Sequence, residues 1–147
     1  MTTIIDYDAG NLRSVEKALQ ALGDTVAITR DKKEILGAER VILPGVGSFG
    51  DAMERLERYG LVEPIAQAVE RRIPFLGICL GLQLLFESSE ESPDVKGLGL
   101  LPGKILRIPD DGGLKVPHIG WNNLKFPHPG RLFKDLPEDS YVYFVHS

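Results

Sequence analysis

Phe75-Leu76-Gly77-Ile78-Cys79-Leu80-Gly81-Leu82-Gln83-Leu84-Leu85-Phe86 is the stretch on which the reading of the fold turns. Its spacing predicts a strand over 73–79 that runs straight into a helix over 80–86. Glycines two residues before and two after Cys79 leave room for a sharp turn between the two elements. A nucleophile must project from the backbone into a cleft, and a G-x-nucleophile-x-G elbow achieves that. The sulfur would then lie at a helix N-terminus, where the dipole favours negative charge. A lone cysteine in an apolar run is more often a small core residue. The symmetric glycines and the strand-before, helix-after context favour the nucleophile.

Upstream, short apolar runs alternate with helical patterns. Strands are expected at 3–5, 25–29 and 41–43. A helix from Asn11 carries Leu12, Val15, Leu19 and Leu22 at spacings of three and four, with Asn11 as its N-cap and Gly23 closing it. Asp31 is expected to cap a brief polar helix that ends near Gly37. Phe49, Met53 and Leu56 mark another helix, and a further one spans 61–72 with Pro64 in its first turn. This alternation implies βαβ units and a mostly parallel sheet. Past Ser88, Pro and Gly become frequent and helical periodicity vanishes. Short β segments at 104–108, 115–118 and 124–126 read as an antiparallel extension of the same sheet, giving a single domain over 1–147.

Composition limits the function classes. The chain has 147 residues, 43% hydrophobic and 26% charged, with a formal net charge of −4. These are globular values without a long basic run, so no nucleic-acid partner is expected. One cysteine and three histidines at scattered positions give neither an internal disulfide nor metal-ligand spacing, so no metal and no cofactor are expected. The N-terminus enters a strand directly, with no signal or membrane segment, so a cytoplasmic location is expected. The chain stops at Tyr141-Val142-Tyr143-Phe144-Val145-His146-Ser147, a run expected to be a buried strand. A domain rarely finishes there, so a cut chain is expected.

Pro44-Gly45-Val46-Gly47 follows the third strand, where open α/β sheets build their sites. Its glycines would let backbone N–H groups face a developing oxyanion, although such segments also make plain turns. Thiolate attack on a carboxamide further needs a general acid for the leaving amine. His128 lies between two prolines and is expected to be a solvated loop residue. Neither His118 nor His146 is followed by an acidic residue that could orient it.

The segment from Gly77 to Glu91 resembles the nucleophile segment of class I (triad-type) glutamine amidotransferases. More narrowly, it is similar to the glutaminase subunits of imidazole glycerol phosphate synthases of histidine biosynthesis. The stretches from Asp6 to Val15, Leu43 to Phe49 and Val116 to Asn122 carry the same resemblance, in the same order. It implies a flavodoxin-like three-layer sandwich. It also implies that Cys79 attacks the glutamine side-chain amide, and that ammonia passes to a (β/α)8-barrel cyclase subunit in a heterodimer. By motif position, the backbone around Gly47 and the N–H of Leu80 form the oxyanion hole. Gln83 and Glu91 hold the amino-acid end of glutamine, with Gly45 and Ser147 beside it. Asn11, Trp121 and Asn122 face the cyclase, and Tyr143 lies near the ammonia path. Glu91 could equally be a solvated surface residue, and Trp121 a core residue.

Two departures stand out. Asp8 occupies a position where the family usually has glycine. The family's His-Pro-Glu element does not occur within the 147 residues, so negligible glutaminase activity is expected of this chain. The rival readings are a cysteine-elbow hydrolase of the protease and chaperone-like kind, and a binding module that kept the scaffold without catalysis.

Overall fold

The structure is a computed structural model that describes residues 1–110, 113, 115–128 and 130–147. They form two compact units, Met1–Leu106 and Arg107–Ser147. In the first, β1 (Thr2–Ile5), α1 (Leu12–Ala21), β2 (Val26–Thr29), α2 (Lys32–Leu36) and β3 (Arg40–Leu43) follow in order. Next come α3 (Phe49–Arg58), α4 (Val62–Glu70), β4 (Phe75–Gly77), α5 (Leu80–Gln83), β5 (Ser88–Ser89) and β6 (Lys104–Ile105). The sheet is parallel throughout, in the order β2-β1-β3-β4, as the alternating pattern predicts. Ile4 pairs with Ile28 on one side and Ile42 on the other.

Of the two central strands, β1 is buried along its whole length, Thr2 and Thr3 included, and β3 is buried from Val41 to Leu43. Phe49, Ala52, Met53 and Leu56 turn one face of α3 into the core, where Ile65 and Ala68 of α4 join them. Asp31 caps α2 by accepting from the Lys33 and Glu34 amides at 2.7 and 3.1 Å, as its position predicts. Gly23 ends α1 at φ +83°, with its N–H on the Gln20 carbonyl and the Asp24 N–H on that of Leu19. That pairing is the Schellman arrangement, which needs a left-handed residue at this position.

Three local expectations are corrected. Asn11 precedes α1, but it adopts a left-handed φ of 72° and its side chain makes no capping bond. α5 is shorter than 80–86, because the carbonyls of Leu84, Leu85 and Phe86 turn to accept the amides of residues 98–101. In the second unit, β7 (His118–Asn123) takes the place of the expected segments at 115–118 and 124–126, and it is followed by β8 (Tyr141–His146). Proline has no N–H to give a ladder, so the strand starts after Pro117.

The antiparallel pairing expected of the second half is present, but β7 and β8 form a two-stranded sheet of their own instead of extending the parallel one. β6 instead pairs parallel with β5. The run at 141–146 is a strand, yet most of it is exposed rather than buried. Its alternating residues Tyr141, Tyr143 and Val145 lie with Ile119 and Trp121 along one exposed face. Among the described residues, no helix is long and apolar enough to cross a membrane.

The burial pattern separates two leucines of similar size. Leu56→Ala should lower the unfolding free energy by about 2–5 kcal/mol through lost transfer energy and a residual cavity. Leu22 is 83% exposed, and its alanine variant should stay within ~0.5 kcal/mol in the same urea titration.

Candidate active site

The carboxyl ends of β3 and β4 meet at Cys79. The cysteine has φ 53° and ψ −117° at the junction between β4 and α5, and it is exposed. A non-glycine residue in that region is strained, and such strain concentrates where a side chain must be presented. The elbow closes through backbone bonds: the Ile78 amide donates to Leu43 at 3.0 Å, and those of Leu82 and Gln83 donate back to Cys79.

Both flanking glycines are required by space. A Cβ on Gly81 would stand 1.9 Å from the Leu43 carbonyl oxygen, and one on Gly77 2.6 Å from the Leu82 Cα. Gly45 is equally constrained, since its Cβ would meet the Gly81 nitrogen at 2.6 Å and the Tyr7 hydroxyl at 2.7 Å. The glycine segment and the elbow therefore lie backbone against backbone. Gly47 has φ +96° with open space around it, so its requirement is conformational.

Leu80 opens α5, where a first-turn amide has no acceptor within the helix. Its side chain is buried. Gln83 stands four residues after Cys79 and so on the same helix face. Glu91 is more than a solvated carboxylate. Its Oε2 accepts the Phe49 amide at 2.9 Å, while the Ser92 hydroxyl accepts that of Gly50 at 3.1 Å. With Ser48 accepting from Asp51 at 3.3 Å, these bonds hold the start of α3, directly after the glycine segment.

Asn11 lies on the first unit, beside Leu12, Arg13, Glu16 and Ile28 along an open groove. Trp121, Asn122 and Ser147 belong to the second unit. Trp121 is 71% exposed, which excludes the core reading for it, and it packs edge-on against Tyr143. Asn122 accepts the Asn123 amide through its side chain. His118 and His146 pair across β7 and β8, with Nδ1 and Nε2 3.1 Å apart and the His118 ring stacked on Phe144. His128 is exposed, as its position between prolines predicts. Among the described residues no group of three or more His, Cys, Asp or Glu is placed to hold a metal.

The structural roles of two residues in the β1–α1 loop escaped the sequence reading. The buried Tyr7 hydroxyl donates to the Pro44 carbonyl at 2.7 Å. Burial pushes the Tyr7 phenol up; the Arg55 charge opposes this and Cys79 adds to it. Asp8 has φ 61°, which explains why glycine is at ease in its place. Its carboxylate accepts the Tyr59 hydroxyl and Arg30 Nη2, and its carbonyl accepts Arg55 Nη1 at 2.7 Å. Arg30 also reaches Asp6 at 2.7 Å and lies over the Tyr59 ring. These partners are 22 to 51 residues away, so no local signal announces them.

A family model described as glutamine amidotransferase class-I matches residues 3–147. The imidazole glycerol phosphate synthase subunit HisH of Moorella thermoacetica is 57% identical over 144 residues, spanning 98% of this chain and 68% of that protein. The chloroplastic imidazole glycerol phosphate synthase hisHF of Arabidopsis thaliana is 48% identical over 147 residues, which are 25% of its length. A solved structure described as a glutamine amidotransferase superposes with a TM-score of 0.70 at 20% identity, covering 97% of this chain and 70% of that one. At that identity the likeness speaks for the fold.

Three outcomes follow from the site. Gly81→Ala meets backbone that cannot yield and should cost about 3 kcal/mol, with slower alkylation of Cys79 by iodoacetamide. Gly47→Ala meets only conformational strain, about 1–2 kcal/mol. Asp8 is held below the usual carboxylate range, by the Tyr59 hydroxyl first and then by Arg30. A lowered folded-state value stabilises above the unfolded value, near ~4, and that stability is lost as pH falls through the folded value. Asp8→Asn should therefore show a shallower fall of the thermal midpoint below about pH 4 than the parent chain.

Proposed function

The chain belongs to the class-I glutamine amidotransferase family, and we propose that it acts as the glutaminase subunit of an imidazole glycerol phosphate synthase. The observation that carries this reading is the Cys79 elbow, whose Gly81 packs its backbone against Leu43, Pro44 and Gly45 at the start of the glycine segment. The Cys79 thiolate attacks the side-chain carbonyl carbon of glutamine. The resulting oxyanion is held by the Leu80 amide and by the backbone around Gly47, donors that need no reorganisation as charge develops. Collapse of the adduct breaks the carbon–nitrogen bond, the nitrogen leaves as ammonia after gaining a proton, and a glutamyl thioester remains. Water then hydrolyses the thioester to glutamate and restores the thiol.

Gln83 and Glu91 hold the amino-acid end of glutamine, with Gly45 beside it. Glu91 would do so while one of its oxygens caps α3, so substrate and oxyanion segment share an anchor. The ammonia passes to a (β/α)8-barrel cyclase partner for histidine biosynthesis in the cytoplasm. Asn11, Trp121 and Asn122 face that partner, and Tyr143 lies near the ammonia path. The exposed aromatic face of β7 and β8 supports this docking, since Trp and Tyr are favoured anchors in protein interfaces.

The leaving nitrogen needs a general acid, and no His-Pro-Glu element occurs within these residues. A general acid–base pair typically supplies about 10²–10⁴-fold. The 147-residue chain should consequently release negligible glutamate from glutamine in a coupled assay. A chloroketone analogue of glutamine should still modify Cys79 in preference to a simple alkylating reagent, and Cys79→Ser should abolish that modification. Robust turnover would overturn the expected inactivity of this chain, and indifference between the two reagents would contradict the glutaminase reading.

A further inference from the structure

We propose that Tyr7 is a positioning residue for the oxyanion-stabilising backbone, its hydroxyl clamping the Pro44–Gly47 segment against the cysteine elbow. The inference rests on the reading of Cys79 as a glutamine-directed nucleophile and adds to it a group that need not touch the substrate. Three observations converge on the hydroxyl. It donates to the Pro44 carbonyl at 2.7 Å while buried, so water does not compete for the bond. It stands 2.7 Å from the place a Gly45 Cβ would occupy, a point also only 2.6 Å from the Gly81 nitrogen. The hydroxyl thus fills the corner where the end of β3, the glycine segment and the first turn of α5 meet.

The loop bearing Tyr7 is itself held on its outer side. Asp8 keeps its left-handed backbone because Tyr59, Arg30 and Arg55 each bond it. Further along, Gly10 packs its backbone near the Val46 side chain, 3.3 Å from where a Cβ would be. One loop therefore grips the glycine segment at Pro44 through a hydrogen bond and at Val46 through contact. Burial keeps the phenol protonated and so a donor as the pH rises.

The Pro44 carbonyl begins the peptide chain that must aim its following N–H groups at a developing oxyanion. Loss of the bond frees that carbonyl to rotate, and a small rotation here misdirects every donor that follows. The ring of Tyr7 remains in the core whether or not the hydroxyl is present. Tyr7→Phe therefore separates aiming from packing.

The test compares two rate constants for Cys79 alkylation on the 147-residue chain. A chloroketone analogue of glutamine carries a carbonyl whose oxygen must enter the oxyanion hole, whereas iodoacetamide reports thiol access alone. In Tyr7→Phe the ratio of chloroketone to iodoacetamide rates should fall about tenfold, less than the roughly 10²–10³-fold cost of deleting an oxyanion donor itself. The iodoacetamide rate should be unchanged. An unchanged ratio would overturn the proposal while leaving the glutaminase reading intact. A parent chain that shows no preference for the chloroketone sinks both.

Should Tyr7→Phe fail to fold, 3,5-difluorotyrosine placed at position 7 keeps the ring and the hydroxyl but gives up its proton more readily. Its ratio should fall as pH rises, while that of the parent stays level. A level ratio in both overturns the proposal.

Discussion

The absence of a side chain at Gly81 is the constraint on which the candidate site depends. With 1.9 Å between an imagined Cβ and the Leu43 carbonyl oxygen, only a bare α-carbon lets the start of α5 press onto the end of β3. That contact brings Cys79 beside the glycine segment, and it puts the Ile78 amide within reach of the Leu43 carbonyl. Hydrogen bonds could not compensate for a methyl group there, because the clash is with main chain and main chain has nowhere to go. Gly77 and Gly45 extend the same principle to the two sides of the corner. Three glycines thus act as a set of missing volumes that lets two loops share one small space.

Around that corner the protein uses charge sparingly and at its rim. Arg30, Arg55, Asp6, Asp8 and Tyr59 knit the β1–α1 loop to the neighbouring elements through bonds that remain open to solvent. Individually such exposed contacts contribute little. Their value is geometric, since they oblige Asp8 to keep a backbone conformation that it would not choose alone. The interior side of the same loop is apolar apart from one satisfied hydroxyl. Glu91 and Ser92 perform the matching task at the other end of the glycine segment, by occupying the first amides of α3.

Much of the first unit was legible because its signals are local. Leu12, Val15 and Leu19 announce a helix by spacing, Asp31 announces a cap, and Gly77-Ile78-Cys79-Leu80-Gly81 announces an elbow through the residue types a tight turn tolerates. The parts that were not legible depend on partners distant in sequence. α5 stops early only because residues 98–101 bid for its carbonyls. The extent of β7 is set by the facing strand, which lends pairing to Gly120, Asn122 and Asn123, residues with weak strand preference of their own. Tyr7 lies in the turn after β1 with no local mark of a role until its hydroxyl is seen to donate to the Pro44 carbonyl, 37 residues later. Glu91 sits in an acidic stretch whose character suggests solvent. Its role as a cap appears only when α3 is brought alongside.

The left-handed backbone of Cys79 bears on how such a protein can change over generations. A residue held at φ 53° costs roughly 1–3 kcal/mol relative to one in an ordinary conformation, and glycine would bear it far more easily. Drift toward greater robustness therefore pulls at the very position that presents the thiol. A lineage released from the need for the thiol would be expected to lose it early and gain heat resistance in doing so, whereas one under selection must find its stability elsewhere. The elbow is a standing tension between endurance and reactivity, written into a single pair of torsion angles.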